Sequence, residues 1–137
     1  MVTRQSELLR VLGDLADNLP DPIWVALVDD DGLIMACVPQ EPPINPDRIS
    51  AMTAAAVSMG DRALDEVEGG ELRYITISGA DRQIMNVAVG EERWLSIGLL
   101  PQVRAQATFA PLSKGVPEVI KILNMRITSQ DPGVVAL

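Results

Sequence analysis

The chain has no histidine and only one cysteine, Cys37, among its 137 residues. Without histidine the commonest general base and metal ligand are missing. One cysteine closes no intrachain disulfide, which fits a reducing compartment. No apolar run reaches the ~18 residues that a membrane span needs, and the opening MVTRQSELLR lacks the apolar stretch of a secretory signal. The expected location is therefore cytoplasmic, without membrane insertion. No glycine cluster carries the spacing and lysine of a phosphate-binding loop. Positive charge is also scarce: 11 Lys and Arg stand against 19 Asp and Glu, a net charge of −8. Such a balance repels phosphate backbones and argues against nucleic acid as a partner.

Apolar residues, in contrast, make up 47% of the chain. That is enough for one self-sufficient core at this length. The expected organisation is a single domain over residues 1–128, followed by a loose tail over 129–137. Leu8, Leu9, Leu12, Leu15, Ala16 and Leu19 recur at the spacing of an amphipathic helix, which Thr3 caps and Pro20 and Pro22 close. Trp24 to Val28 reads as a short buried strand. Asp29-Asp30-Asp31-Gly32 is turn chemistry, and Leu33 to Val38 returns as the antiparallel partner.

After the proline-rich stretch from Pro39 to Pro46, Asn45-Pro46-Asp47 is a helix start. Asparagine caps, proline at the first helical position gives up no bonded N–H, and aspartate complements the dipole. The helix runs to about Val67, before Gly69-Gly70. At 1.5 Å per residue its ~20 residues span roughly 30 Å, enough to cross a small sheet. Ile49, Met52, Ala56, Met59, Ala63 and Val67 form the stripe expected to pack on that sheet. Beside it, Ala51, Ala54, Ala55, Ser58 and Arg62 make a surface of small side chains, which permits close approach of another helix but is also what good helix formers look like.

Glu71 to Ser78, Gln83 to Val89 and Trp94 to Leu100 read as three further strands joined by hairpin-length turns. Leu112 to Ile127 reads as a final helix, while Gln102 to Pro111 gives no clear reading. The cations Arg104, Lys114, Lys121 and Arg126 near this end are read as a solvated face.

The segments VALVDDDGLIMA, DRISAMTAAAVSMGDRAL, GGELRYITISG and IMNVAVGEERWLSIGL, in this order, resemble the Roadblock / dynein light-chain family, and the resemblance covers roughly residues 5 to 125. It implies an α+β fold of topology α-β-β-α-β-β-β-α, Roadblock/profilin-like. A five-stranded antiparallel sheet in order 2-1-5-4-3 is sandwiched between the long helix and the two terminal helices. Members of the family pair third strands edge to edge and lay their second helices side by side, which also removes an aggregation-prone edge. Carried onto this chain, the homodimer interface is expected at Ala51, Ala55, Ser58, Leu72, Tyr74 and Thr76.

The chain resembles the bacterial and archaeal MglB branch in particular, which implies a dimer that binds a small Ras-like GTPase and promotes hydrolysis without an arginine finger. The implied contacts are Arg48, Arg62, Asp65 and Glu66, with Ser58 beside them. The chain is shorter after its last helix than some such activators, so activation itself is not implied as firmly as docking.

Chemistry elsewhere gives way to structural readings. Asp29, Asp30 and Asp31 are consecutive turn residues that point in different directions, and are read as a turn and not a cation site. Cys37 lies among apolar neighbours and is read as buried and inert. The six methionines are read as core filler, and Trp24 and Trp94 as core residues, either of which could sit at the rim. No cofactor, metal site or catalytic residue is expected. The expected function is a non-catalytic homodimeric adaptor that regulates a Ras-like GTPase. The alternatives are a nucleotide-independent scaffold subunit of a motor, signalling or polarity complex, and a monomeric ligand-binding sensor on a PAS-like sheet.

Overall fold

The structure, a computed structural model, describes residues 2–125. Its elements are α1 (Arg4–Asn18), β1 (Trp24–Val28), β2 (Ile34–Val38), α2 (Pro46–Glu66), β3 (Tyr74–Ser78), β4 (Gln83–Val89), β5 (Arg93–Leu99) and α3 (Gln106–Leu123). The five strands form one antiparallel sheet in the order β2-β1-β5-β4-β3. This is the order the family resemblance implied.

Local chemistry sets the helix ends. The Thr3 hydroxyl accepts from the Ser6 backbone N–H at 3.0 Å, and the Ser6 hydroxyl accepts from the Thr3 N–H at 2.9 Å. This reciprocal box satisfies donors that have no partner inside the helix. At the start of α2, Asn45 Oδ1 accepts from the Asp47 N–H at 2.8 Å, with Pro46 at the first helical position. The end of α2 is less ordinary. Glu68 takes φ +54°, its N–H reaches Asp65 O at 3.4 Å, and the Gly69 N–H reaches Leu64 O at 2.8 Å. Those two bonds are the paired closure of a helix that exits through a left-handed residue. Glutamate, not glycine, occupies that residue.

The sheet has two different faces. On one, α1 and α3 pack over Val25, Leu27, Met85, Leu95, Ile97 and Leu99, with Leu8, Leu12, Leu112, Val119 and Ile122 closing the main core. On the other, α2 covers a smaller cluster of Trp24, Ala26, Cys37 and Ile49. The Trp24 indole N–H donates to Ser96 Oγ at 3.1 Å. A Cβ on Gly98 would lie 2.5 Å from the indole, so the ring rests where only glycine leaves room. Gln83 Nε2 lies within hydrogen-bond reach of Leu100 O (2.9 Å) and Val103 O, which fixes the loop into α3.

Several sequence expectations need correction. The face of α2 that meets the sheet is Ile49, Thr53, Ala56 and Gly60, whereas Met52, Met59, Ala63 and Val67 are exposed. Thr53 Oγ1 bonds Ile49 O at 2.8 Å and approaches Asn86 Oδ1, while Gly60 lets the helix sit down on Leu72 and Ile75. Small and hydroxylated residues thus face the sheet, and the methionines lie on the shoulder. The third strand begins at Tyr74 and not Glu71, because Leu72 leaves the strand line to fill the space beneath Gly60.

The last helix begins at Gln106, six residues before the expected start, and runs through Pro111 and Pro117. Burial of Thr108, Leu112, Val119 and Ile122 against α1 and the sheet outweighs the lost backbone bonds. The expected continuation to Ile127, the cation Arg126 and the tail 129–137 lie outside the described residues. Among the described residues, no helix is long and apolar enough to cross a membrane.

Candidate interaction surface

β3 is an edge strand, hydrogen-bonded to β4 on one side only. Its two faces continue those of the sheet. Tyr74, Thr76 and Ser78 stand opposite Val87, Met85 and Gln83 and share the side of α3. Ile75 and Ile77 stand opposite Asn86 and Ile84 and share the side of α2. Two large apolar side chains remain open on this short strand, Tyr74 at 47% exposure and Ile77 at 50%. The Tyr74 ring meets Phe109 of α3 edge-on, with centroids 5.5 Å apart and planes at 63°.

Above the same edge lies the shoulder of α2. Met52 and Met59 are seven residues apart, two turns along one side of the helix, and are 57% and 70% exposed. An apolar groove of about 620 Å³ runs between the first half of α2 and β3–β4, lined by Trp24, Ile44, Ile49, Met52, Ile77 and Ile84 among others, with Arg48 and Arg82 also on its wall. A second groove of about 680 Å³ runs between the far half of α2 and the start of β3, lined by Gly60, Ala63, Leu64, Leu72 and Tyr74 among others. Together they follow the strand edge from end to end.

The positions singled out in the sequence fall as follows. Ala51, Ala55 and Ser58 are exposed on α2, Leu72 and Thr76 are half-buried, and Tyr74 is exposed. Arg48, Arg62, Asp65 and Glu66 lie along α2; Arg48, Arg62 and Glu66 are exposed there, as is Asp65. Helical geometry puts Arg48, Met52, Ala55, Met59, Arg62 and Glu66 on one continuous outer stripe, since they recur at three and four residues. Of the four charged positions, Arg48 lines the groove beside β3, together with Asp47 and Arg82. The sequence reading missed Met52, Met59, Ile77 and Phe109. The available signal was an apolar arc on α2 too wide for one sheet to cover.

Two other clusters carry structural roles. Asp29 Oδ1 accepts from the Asp31 and Leu33 N–H groups at 3.0 Å each, and Gly32 takes φ +78°, so this carboxylate closes the hairpin turn. Its neighbours Asp30 and Asp31 lie near it but are exposed. Cys37 is 7% exposed, and loss of solvation pushes its thiol pKa up, the opposite of an activated nucleophile.

Residues 9–98 match the Roadblock/LC7 domain. The chain belongs to the Roadblock/LC7 domain family. A search of curated proteins finds no match. Among solved structures, this Roadblock/LC7 chain is similar to Myxococcus xanthus MglB, at 18% identity and TM-score 0.78, over 90% of this chain and 92% of that one. It is similar to a Roadblock/LC7 domain from Streptomyces avermitilis, at 18% identity and TM-score 0.77, over 87% and 99%. The gliding protein MglB from Thermus thermophilus follows at 11% identity and TM-score 0.76, over 89% and 92%. At these identities the likeness is one of fold. The family match ends inside β5, so α3 enters the comparison through the structures alone.

Proposed function

We propose that this Roadblock/LC7 chain is a non-catalytic, homodimeric cytoplasmic adaptor that binds and regulates a small Ras-like GTPase. The observation that carries the reading is the coincidence of an unpaired apolar strand edge with an exposed, mixed charged and apolar helix directly above it. A strand edge of this kind is satisfied by a second strand, and a symmetric copy supplies one. Pairing at β3 brings two α2 helices onto the same face of the joined sheet. The exposed Arg62, Asp65 and Glu66 then form a platform of charges that steers a partner. Small GTPases order their switch segments only around the γ-phosphate, so a rigid helical platform is suited to distinguish their two states. The acidic turn and the buried cysteine both have structural duties, which supports a binding role over a catalytic one.

The test is capture of partners from native lysate on the immobilised protein, with excess GDP in one arm and a non-hydrolysable GTP analogue in the other. A Ras-sized protein retained only with the analogue is the expected result. Partners retained equally in both arms point to a static scaffold. Arg62→Glu should weaken capture by about tenfold, or ~1.4 kcal/mol, while shifting stability by no more than about 0.5 kcal/mol, because the position is exposed on a helix. Unfolding of that variant would show that Arg62 has a structural duty instead.

A further inference from the structure

β3 is a five-residue strand with one satisfied side. The Ala88 N–H donates to Arg73 O at 2.9 Å, and at the other end the Gly79 N–H donates to Arg82 O at 2.9 Å. Bonded and non-bonded residues alternate along an antiparallel pair. The backbone groups of Arg73, Ile75, Ile77 and Gly79 are therefore turned towards β4. Those of Tyr74, Thr76 and Ser78 are turned outwards, to the free edge. Thr76 lies midway between the other two.

Thr76 has a second peculiarity. Its Oγ1 is buried and has no hydrogen-bond partner, although it belongs to the outermost strand. A hydroxyl left in that state is destabilising, because it has given up its water without gaining a partner. Nothing among the described residues relieves it.

We infer that two copies pair their β3 strands antiparallel with Thr76 on the two-fold axis, so that Thr76 faces Thr76 of the second copy. The inference rests on the homodimer proposed above and specifies its register. This is the alignment in which the three outward-facing residues of the strand all find partners within the strand itself. Thr76 pairs with its own copy and Tyr74 with Ser78, each pair exchanging both backbone bonds. The two threonine side chains meet on the α3 side, where rotation about χ1 turns the buried hydroxyls outwards and lets one donate to the other, a favourable cross-strand pair.

On the α2 side, the same register sets Ile77 opposite Ile75 of the second copy as a non-bonded pair. Such pairs approach most closely, with Cα atoms about 4.5 Å apart. That contact covers the half-exposed Ile77. A centre shifted to Tyr74 leaves Ser78 facing Gly70, outside the strand, and lays Glu71 against Ile77. A centre at Ile75 or Ile77 leaves one of the outward residues without a partner inside the strand.

The test is a cysteine scan in a Cys37→Ser background, with single substitutions at Tyr74, Ile75, Thr76, Ile77 and Ser78, oxidised at native concentration. A bonded pair on the axis has Cα atoms about 5.5 Å apart, inside the disulfide range of roughly 4.4–6.8 Å. Thr76→Cys is expected to link to itself and to shift to twice the 14.8 kDa chain mass on a non-reducing gel, ahead of its neighbours. Tyr74→Cys and Ser78→Cys are expected to link to each other when mixed and not to themselves. That second arm holds if the Thr76 variant is poorly folded. Sedimentation of the unmodified protein separates the two ways to fail. A monomer at every concentration overturns the homodimer and the register with it. A dimer that self-links at Ile75, Ile77 or Tyr74 overturns the register alone, and one that links nowhere along β3 overturns the β3 seam together with the register.

Discussion

At position 98 the indole of Trp24 occupies the place where a side chain would begin. A Cβ there would lie 2.5–2.6 Å from three ring carbons, too close for any real contact. Withdrawal into the groove under α2, which the ring also lines, would break the bond from its N–H to the buried Ser96 hydroxyl. Gly98→Ala is therefore expected to lower stability by about 1–3 kcal/mol, the range for overpacking a filled core. Chemical denaturation with the indole emission as readout measures it. A variant as stable as the parent would mean that the ring can slide. Neither the glycine nor the tryptophan announces this contact in the sequence, because they sit on separate strands and meet only through the β1–β5 register.

The end of α2 shows how an element can carry avoidable strain. Glu68 adopts the left-handed conformation that closes the helix, where a side chain crowds its own backbone. Glu68→Gly should raise stability by roughly 0.5–1 kcal/mol, the relief of that crowding less the added freedom of the unfolded chain. Thermal unfolding reads it directly, and a destabilised variant would contradict the left-handed assignment.

Elements are legible in the sequence wherever one chemical rule acts alone. The caps at Thr3 and Asn45 and the Asp29–Gly32 turn are local, and they stand where the residues indicate. The phase of α2 is not legible, because the helix approaches the sheet through Thr53, Ala56 and Gly60. Closeness selects for small residues there, and a hydrophobic scale ranks them below the methionines at the shoulder. The start of α3 is hidden for a related reason. Pro111 signals a break locally, yet packing on α1 and β4 carries the helix through it. The candidate surface is half legible: the charged positions of α2 are exposed as expected, whereas the apolar positions that border them read as core.

At the scale of the whole molecule, the aromatic residues divide by location. Trp24 is buried beneath α2 and Trp94 is half-buried on the central strand β5. The only tyrosine of the chain, Tyr74, stands on the open edge against Phe109. For the proposed homodimer, dilution through the dissociation range should alter the near-ultraviolet dichroism of the tyrosine band, whereas heating should alter both that band and tryptophan emission. A tyrosine band indifferent to dilution, in a protein shown by sedimentation to dissociate, would place the seam away from β3. Tyr74 thus gives the proposed assembly an optical channel of its own, read without any attached label.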